Sequence, residues 1–320
     1  MLPFRGLGRP LLRLLVPGHR RALVAGWFSF PDTKATFGDS RAMEVVCRWL
    51  REAGIPFDVA GDERNHVSGI AWDAIEPAAY TIFVFVCGPW WDNPGILDRF
   101  RHCLTIGIDL TVHGADTLGF DVLIPRDGLG EANPDLVLAS DTDPVPVAGV
   151  ALVHPQPPYG DRQRHERVQA VVDEFLAAGT VAPLYLDTLL LNNPGRLTTA
   201  DQFAALVRRT DVMVTTRLHG LVFALLERVP AVAIDPIAGG AKVTAQARAL
   251  DWPLLLAGET LSAAELADHV HHCAAGRLAT EVERCRARAI ARLGPIRERF
   301  LAAVANRSGA AGWQSRRRAA

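Results

Sequence analysis

Apolar residues along this chain fall in short unbroken runs separated by longer amphipathic stretches, and that alternation sets the expected fold. Ala22 to Ala25 is apolar throughout and leads into a loop rich in Gly, Ser, Pro and Thr. From Arg41 to Ala53, the residues Ala42, Val45, Val46, Trp49 and Leu50 recur at helical spacing, with Gly54 as the stop and Asp39 or Ser40 as the cap. Phe57 to Ala60, Thr81 to Cys87, Leu104 to Val112 and Phe120 to Pro125 continue the series of runs. The segment TIFVFVC at 81–87 has the character of a strand covered on both faces in a parallel sheet.

A Pro/Asp-rich stretch, Asn133 to Pro146, suits a linker, and beyond it the rhythm restarts. Strand-like runs are Gly149–His154, Ala182–Asp187, Asp211–Thr215, Ala231–Asp235 and Pro253–Leu256. Helical stretches between them are Arg162–Ala178, Thr199–Arg209, Leu218–Glu227 and Gly240–Leu250, with Ala263–Cys273 and Glu281–Val304 last. Strict alternation of this kind predicts βαβ units and parallel sheets. The expected fold class is α/β, with two Rossmann-like parallel-sheet domains facing a cleft. The expected organisation is a basic extension over 1–21, a first domain over 22–145, a second over 146–305 and a mobile basic tail over 306–320. No internal sequence repeat stands out.

Composition narrows the function classes. The 320 residues carry 34 basic and 35 acidic side chains, a net charge of −1, so no global field draws nucleic acid or an anionic membrane. Only Lys34 and Lys242 are lysines; every other cation is arginine. No run of 18 apolar residues exists, which argues against a membrane span, and the first 21 residues lack an uninterrupted apolar core of the signal-peptide kind. The cysteines at 47, 87, 103, 273 and 285 form no CxxC pair and read as reduced thiols of a cytoplasmic protein. GxSxG, HExxH and Walker A motifs are absent, as is a GxGxxG after the first strand. The HVHH run at 269–272 reads as a solvated helix face, so no metal site is expected.

In sheets of this type, ligands bind beyond the carboxyl ends of the strands. The segment at 211–235, DVMVTTRLHGLVFALLERVPAVAID, places Arg217 and His219 at a strand end, beside a helix N-terminus, with Gly220 permitting close approach. Guanidinium, imidazole and free N–H groups together receive phosphate or carboxylate; the competing reading is a surface ion pair and a half-buried histidine. The next strand ends at Asp235, either a general base or a helix partner. The loop PIAGGAK then offers Gly239, Gly240 and Lys242 to an anion. His154 follows another strand, with Arg162, Arg164 and His165 on the first turns of the next helix. In the first half, the loop at 26–40 contains Ser29 and closes in Gly38-Asp39, where Asp39 either caps the helix or orients a substrate hydroxyl. Cys87-Gly88 ends the most apolar strand, and Trp90 and Trp91 either stack on a sugar or pack internally. His113 closes the Leu104 strand.

The segment at 211–242, with its strand, Arg217-Leu218-His219 tripeptide, small-residue helix, Pro-led strand and following lysine, resembles the signature region of the polysaccharide pyruvyl transferase family. Gly38-Asp39 is similar to that family's first-domain glycine-aspartate element, without its usual asparagine-glycine lead-in. The resemblance runs from about Leu23 to about Leu255. It implies a GT-B-like fold and transfer of pyruvate from phosphoenolpyruvate, a co-substrate rather than a cofactor, to sugar hydroxyls of a glycan. It further implies Arg217 and His219 at the active centre and Lys242 in the donor site. Joined to the reading of the strand ends and loops, this gives expected catalytic residues His219, Arg217 and Asp39, a donor site of Arg217, Lys242, Gly239, Gly240 and His154, and an acceptor site of Ser29, Gly38, Asp39 and Gly88. A GT-B glycosyltransferase using a nucleotide sugar is the alternative reading, and a non-catalytic anion-binding module a third.

Overall fold

The computed structural model describes residues 20–90, 94–113, 119–128 and 132–307. Trp91, Arg5, Arg9 and Arg13 of the expected extension, and the expected tail beyond Arg307 lie outside the described residues. Two compact units divide the chain, the first ending at Thr142 and the second beginning at Asp143. Each holds one five-stranded, all-parallel sheet with helices, an α/β architecture.

The first unit comprises β1 (Ala22–Ala25), α1 (Phe37–Glu52), β2 (Phe57–Val59), β3 (Ile82–Trp90), α2 (Pro94–Arg99), β4 (Leu104–Val112) and β5 (Val122–Asp127). Its strand order is β2-β1-β3-β4-β5. Alternate residues of β1 enter different clusters: Ala22 and Val24 pack with Ala42 and Val46 of α1, while Leu23 and Ala25 join an aromatic cluster. There Phe83 and Phe100 stack with ring centres 4.2 Å apart, and Trp90 meets Phe85 and Phe120 at 4.8 and 4.7 Å. Trp90 is thus a core residue.

Two expected boundaries move for local reasons. Helix α1 begins at Phe37, because Thr36 is its cap and forms a reciprocal capping box with Asp39. Strand β3 runs on through Cys87-Gly88-Pro89 to Trp90, with φ of +60° at Cys87 and +81° at Gly88.

The second unit comprises β6 (Val147–Ala151), α3 (His165–Ala177), β7 (Ala182–Tyr185), α4 (Ala200–Val207), β8 (Val212–Thr215), α5 (Leu218–Leu226), β9 (Ala231–Asp235), α6 (Lys242–Ala249), β10 (Leu255–Ala257), α7 (Ala263–Ala274) and α8 (Ala279–Arg307). Its order, β10-β9-β8-β6-β7, places the unit's first strand between its second and third, as in the first unit. This core is aliphatic, built around Val150, Val214, Leu221, Val232 and Ile234. Among the described residues, no helix is long and apolar enough to cross a membrane. The five cysteines are buried and unpaired.

Helix α5 lies directly on β8 at Gly220, where an added Cβ would come within 2.2 Å of Thr215 Oγ1 and 3.0 Å of its Cβ. Thr215 is fully buried and cannot yield. Gly220→Ala is expected to destabilise the second unit by roughly 1–3 kcal/mol in urea denaturation; an unchanged midpoint would show that α5 can lift off the sheet freely.

Candidate functional site

Each sheet reverses its direction of growth beside its first strand, at β1/β3 in one unit and β6/β8 in the other. Crevices form at the carboxyl ends of such strands.

In the first unit, the turn after β1 is pinned from below. Gly26 N–H donates to Ser29 Oγ at 3.1 Å, and Ser29 Oγ donates to the Ala60 carbonyl at 2.6 Å. Ser29, expected to face an acceptor, is 1% exposed, and its hydroxyl is committed inside the fold. Gly38, Asp39 and Gly88 do line one cavity of about 460 Å3, together with Trp27, Lys34 and Arg126. Asp39 Oδ2 accepts from the N–H and hydroxyl of Thr36, both at 2.7 Å, so this oxygen serves the helix cap. A Cβ on Gly88 would sit 2.6 Å from the Trp27 ring and 3.4 Å from Asp39 Oδ1. Arg126 donates to Thr111 Oγ1 at 2.7 Å and Asp135 Oδ2 at 3.0 Å.

The expected site lacked the kink beneath this cavity. The β3/β4 ladder pairs Val86 with Ile108 and Gly88 with Leu110, and between them Cys87 and Asp109 both adopt φ +60°. Left-handed backbone at two non-glycine residues costs energy and concentrates at functional sites. Asp109 is 3% exposed; its Oδ1 accepts from Leu136 N–H at 3.4 Å, and its Oδ2 has no partner among the described residues. Burial, then the charge of Asp135, pushes its carboxyl above the ordinary range. Burial, then the charges of Asp39 and Asp109, pushes the Cys87 thiol up as well. A polar residue inside the run LTIGIDLTV was the available signal for Asp109; for Arg126, on an edge strand, there was none.

In the second unit, Arg217 precedes α5, but its side chain turns inward. Nε donates to the Leu152 carbonyl at 2.9 Å and Nη2 pairs with Asp187 Oδ1 at 2.9 Å, both side chains being 10% exposed. The guanidinium thereby ties the ends of β6, β7 and β8 together. Thr215 Oγ1 reinforces the turn by donating to the Ala151 carbonyl at 2.9 Å and accepting Arg217 N–H at 3.0 Å. No side chain caps α5, so the N–H groups of its first turn stay open to a ligand. His219, in that turn, is exposed and lines a cavity of about 230 Å3 with Asp187, Asn193, Phe203 and Phe223.

Lys242 belongs to a different group. Its Nζ donates to Gln156 Oε1 at 2.9 Å, reaching from the β9 loop to the segment after β6. The glycine loop expected to cradle an anion against α6 instead faces a buried carboxylate. Asp235 accepts from Ala241 N–H at 2.7 Å, Thr244 N–H at 2.8 Å, Thr244 Oγ1 at 2.7 Å and Ile237 N–H at 3.1 Å. Asp235 is therefore the helix partner of α6, and its charge occupies the place an anion would take. Arg162 holds the same loop through the carbonyls of Ala238 and Gly240 at 2.9 and 2.8 Å, with Gly239 exposed at φ +73°. His154, exposed after β6, and His165, buried at the start of α3, lie within electrostatic reach of each other and of Lys242. Arg217 and His219 thus meet around Asp187, while Lys242 is held apart from them by Gln156.

Residues 161–236 match the polysaccharide pyruvyl transferase family model. The match takes in α3 through β9, with Asp187, Arg217 and His219, and stops short of Gly239, Gly240 and Lys242. No curated protein matches the chain. Among solved structures, the chain is similar to the glycotransferase of kitacinnamycin at 14% identity (88% of this chain, 98% of that one, TM-score 0.33). It is similar also to a spinosyn rhamnosyltransferase complexed with thymidine diphosphate at 12% (85% and 96%, TM-score 0.30). A third is the UDP-GlcNAc 2-epimerase of Methanocaldococcus jannaschii at 8% (80% and 92%, TM-score 0.28).

Two outcomes follow from these charges. Arg217→Ala leaves the largely buried Asp187 carboxylate without its counter-charge, though it keeps the Leu189 N–H, and is expected to cost about 3 kcal/mol in denaturant titration, with Arg217→Met plus Asp187→Leu recovering most of it; a loss under about 1 kcal/mol would mark the pair as energetically idle. For Asp109, a folded-state pKa above the unfolded value means that the native state keeps the proton longer. Stability is then fully present below the unfolded value of about 3.9 and declines as pH rises through the folded one. Asp109→Asn retains the acceptor for Leu136 N–H and is expected to raise the melting temperature at neutral pH, the gain vanishing toward about pH 4; a pH-independent difference would contradict it.

Proposed function

We propose that the protein is a transferase acting on saccharides, moving pyruvate from phosphoenolpyruvate to sugar hydroxyls of a glycan or glycan precursor. The observation that carries this reading is the family match over residues 161–236, which includes the exposed His219 on the uncapped first turn of α5. A small acid bearing phosphate and carboxylate suits such a terminus, where N–H groups and the helix dipole favour negative charge.

In the proposed reaction, the donor's anionic group accepts from the first-turn N–H groups of α5. His219 delivers a proton to the methylene carbon as a sugar hydroxyl bonds to C2, which turns the methylene into a methyl group, and the proton of that hydroxyl passes back to His219. Phosphate then leaves C2, a second hydroxyl bonds there to close a ketal, and its proton departs with phosphate. No cofactor enters this sequence. Arg217 acts by holding Asp187 and Leu152, so that the α5 turn keeps its position, rather than by touching the donor. The cavity of the first unit, with the Trp27 ring and Asp39, suits a saccharide, whose hydroxyls donate to carboxylates and whose apolar face rests on an indole.

Purified protein is to be mixed with phosphoenolpyruvate and a set of glycan acceptors, and phosphate release and pyruvylated product followed. A positioned acid contributes about 10²–10⁴-fold, so His219→Ala is expected to lose at least about a hundredfold in turnover with its melting temperature retained. Near-normal turnover would remove His219 from the chemistry. A thermal shift with nucleotide sugars but none with phosphoenolpyruvate would favour a glycosyltransferase instead.

A further inference from the structure

Helix α8 carries an apolar stripe that outruns its support. Near its start, Val282 and Cys285 are buried in the core of the second unit. Ala289, Leu293, Ile296, Phe300 and Val304 continue that face at spacings of three and four, with Ile290 and Leu301 beside it. From Ile290 onward its large apolar side chains are 45 to 65% exposed. The exposed part begins at a cavity of about 460 Å3 between α5, α6 and α8, where Val222, Leu225, Leu226 and Leu250 meet Ile290 and Leu293. Gly294 and Pro295 lie within it, and each costs a helix stability, so this half needs a surface to rest on.

Charge says what kind of surface. The net charge of −1 conceals a segregation: residues 284–320 hold ten arginines and a single acidic residue, Glu298, which leaves the rest of the chain at −10. Arg284 approaches Glu281 at 4.0 Å, Arg288 approaches Asp251 at 3.7 Å, and Arg292 donates to the Ala249 carbonyl at 2.5 Å. Arg297 and Arg299, both exposed, form no ion pair among the described residues. Pairing with a second copy about the midpoint of the stripe would set Arg297 against its own counterpart, a like-charge contact. A nucleic acid would leave the leucine, isoleucine and phenylalanine side chains in water. A helix with these apolar residues on one face and arginines around them suits the headgroup boundary of an anionic bilayer, lying in its plane without crossing it.

We propose that the second half of α8, with the arginines that follow it in sequence, docks the protein on an anionic lipid surface. Leu293, Ile296 and Phe300 enter the acyl boundary, and the guanidinium groups of Arg297 and Arg299 donate to lipid phosphates while their stems lie along apolar surface. The docking face meets α5 at its C-terminal end, Leu225 and Leu226, whereas His219 lies in the first turn of the same helix. Docking therefore leaves the His219 cavity free and is independent of which donor that cavity takes.

The test is co-sedimentation of the full chain with vesicles of phosphatidylcholine alone and of phosphatidylcholine mixed equally with phosphatidylglycerol. The chain is expected to bind the mixed vesicles, to bind them less as salt is added, and to leave the neutral ones in suspension without it. Arg297→Gln plus Arg299→Gln should weaken binding roughly tenfold or more. Leu293→Gln plus Phe300→Gln should do the same, roughly tenfold or more, through the apolar face. All of these side chains are exposed, so the melting temperatures are expected to hold. No binding by the wild-type chain, equal binding to both vesicles, or unchanged binding in either variant would overturn the docking. The wild-type comparison of the two vesicles decides the matter if a variant fails to fold. A dimer in light scattering that Leu293→Gln plus Phe300→Gln dissociates, with no vesicle binding, would assign the face to a second copy instead.

Discussion

The second unit depends on one interaction, the inward turn of the Arg217 guanidinium onto Asp187 and the Leu152 carbonyl. Parallel strands end on a common edge, and nothing in the ladder fixes how the chains leaving β6, β7 and β8 sit relative to one another. Arg217 supplies that constraint from the residue immediately before α5, and its planar fork reaches two partners at once. Removing the charge from water is costly and worthwhile only with its partners in place. The consequence is a helix start held in position with its N–H groups still open. A cation expected to face a ligand is committed to Asp187 and the Leu152 carbonyl.

The two units reach the same strand order by different means. Aromatic packing of Phe83, Phe85, Trp90 and Phe100 fills the first, whereas valine, leucine and isoleucine fill the second. That difference explains why no repeat is visible in the sequence, since parallel-sheet topology asks only for apolar strands and amphipathic helices. The crevices differ too. The first is strained at Cys87 and Asp109 and acidic beneath; the second is unstrained at its turn and rich in imidazole.

Much of the fold was legible in the pattern. Leu104–Val112 and Ala231–Asp235 are strands within the expected bounds, because unbroken apolar runs flanked by turn residues admit little else. The end of β3 was not legible: Gly88 and Pro89 ordinarily end a strand, and only the kink shared with β4 carries the ladder through them. Local chemistry identified Asp39 as a helix-capping residue but misplaced the cap itself, which is Thr36. What the site sequence hid was long-range pairing. Nothing near Arg217 announces Asp187, whereas the helix-partner reading of Asp235 was open from its place after β9 and is the one its hydrogen bonds to Ala241 and Thr244 fulfil.

The matched left-handed residues in β3 and β4 have an evolutionary corollary. Cys87 and Asp109 bend neighbouring strands at the same rung, so each bend fits only because the other exists. Adding or deleting one residue in either strand would set a bend against a straight neighbour and turn every later side chain to the wrong face. Length drift in this half of the protein is thereby channelled into its connecting segments, and the pair of strands is inherited as a single block.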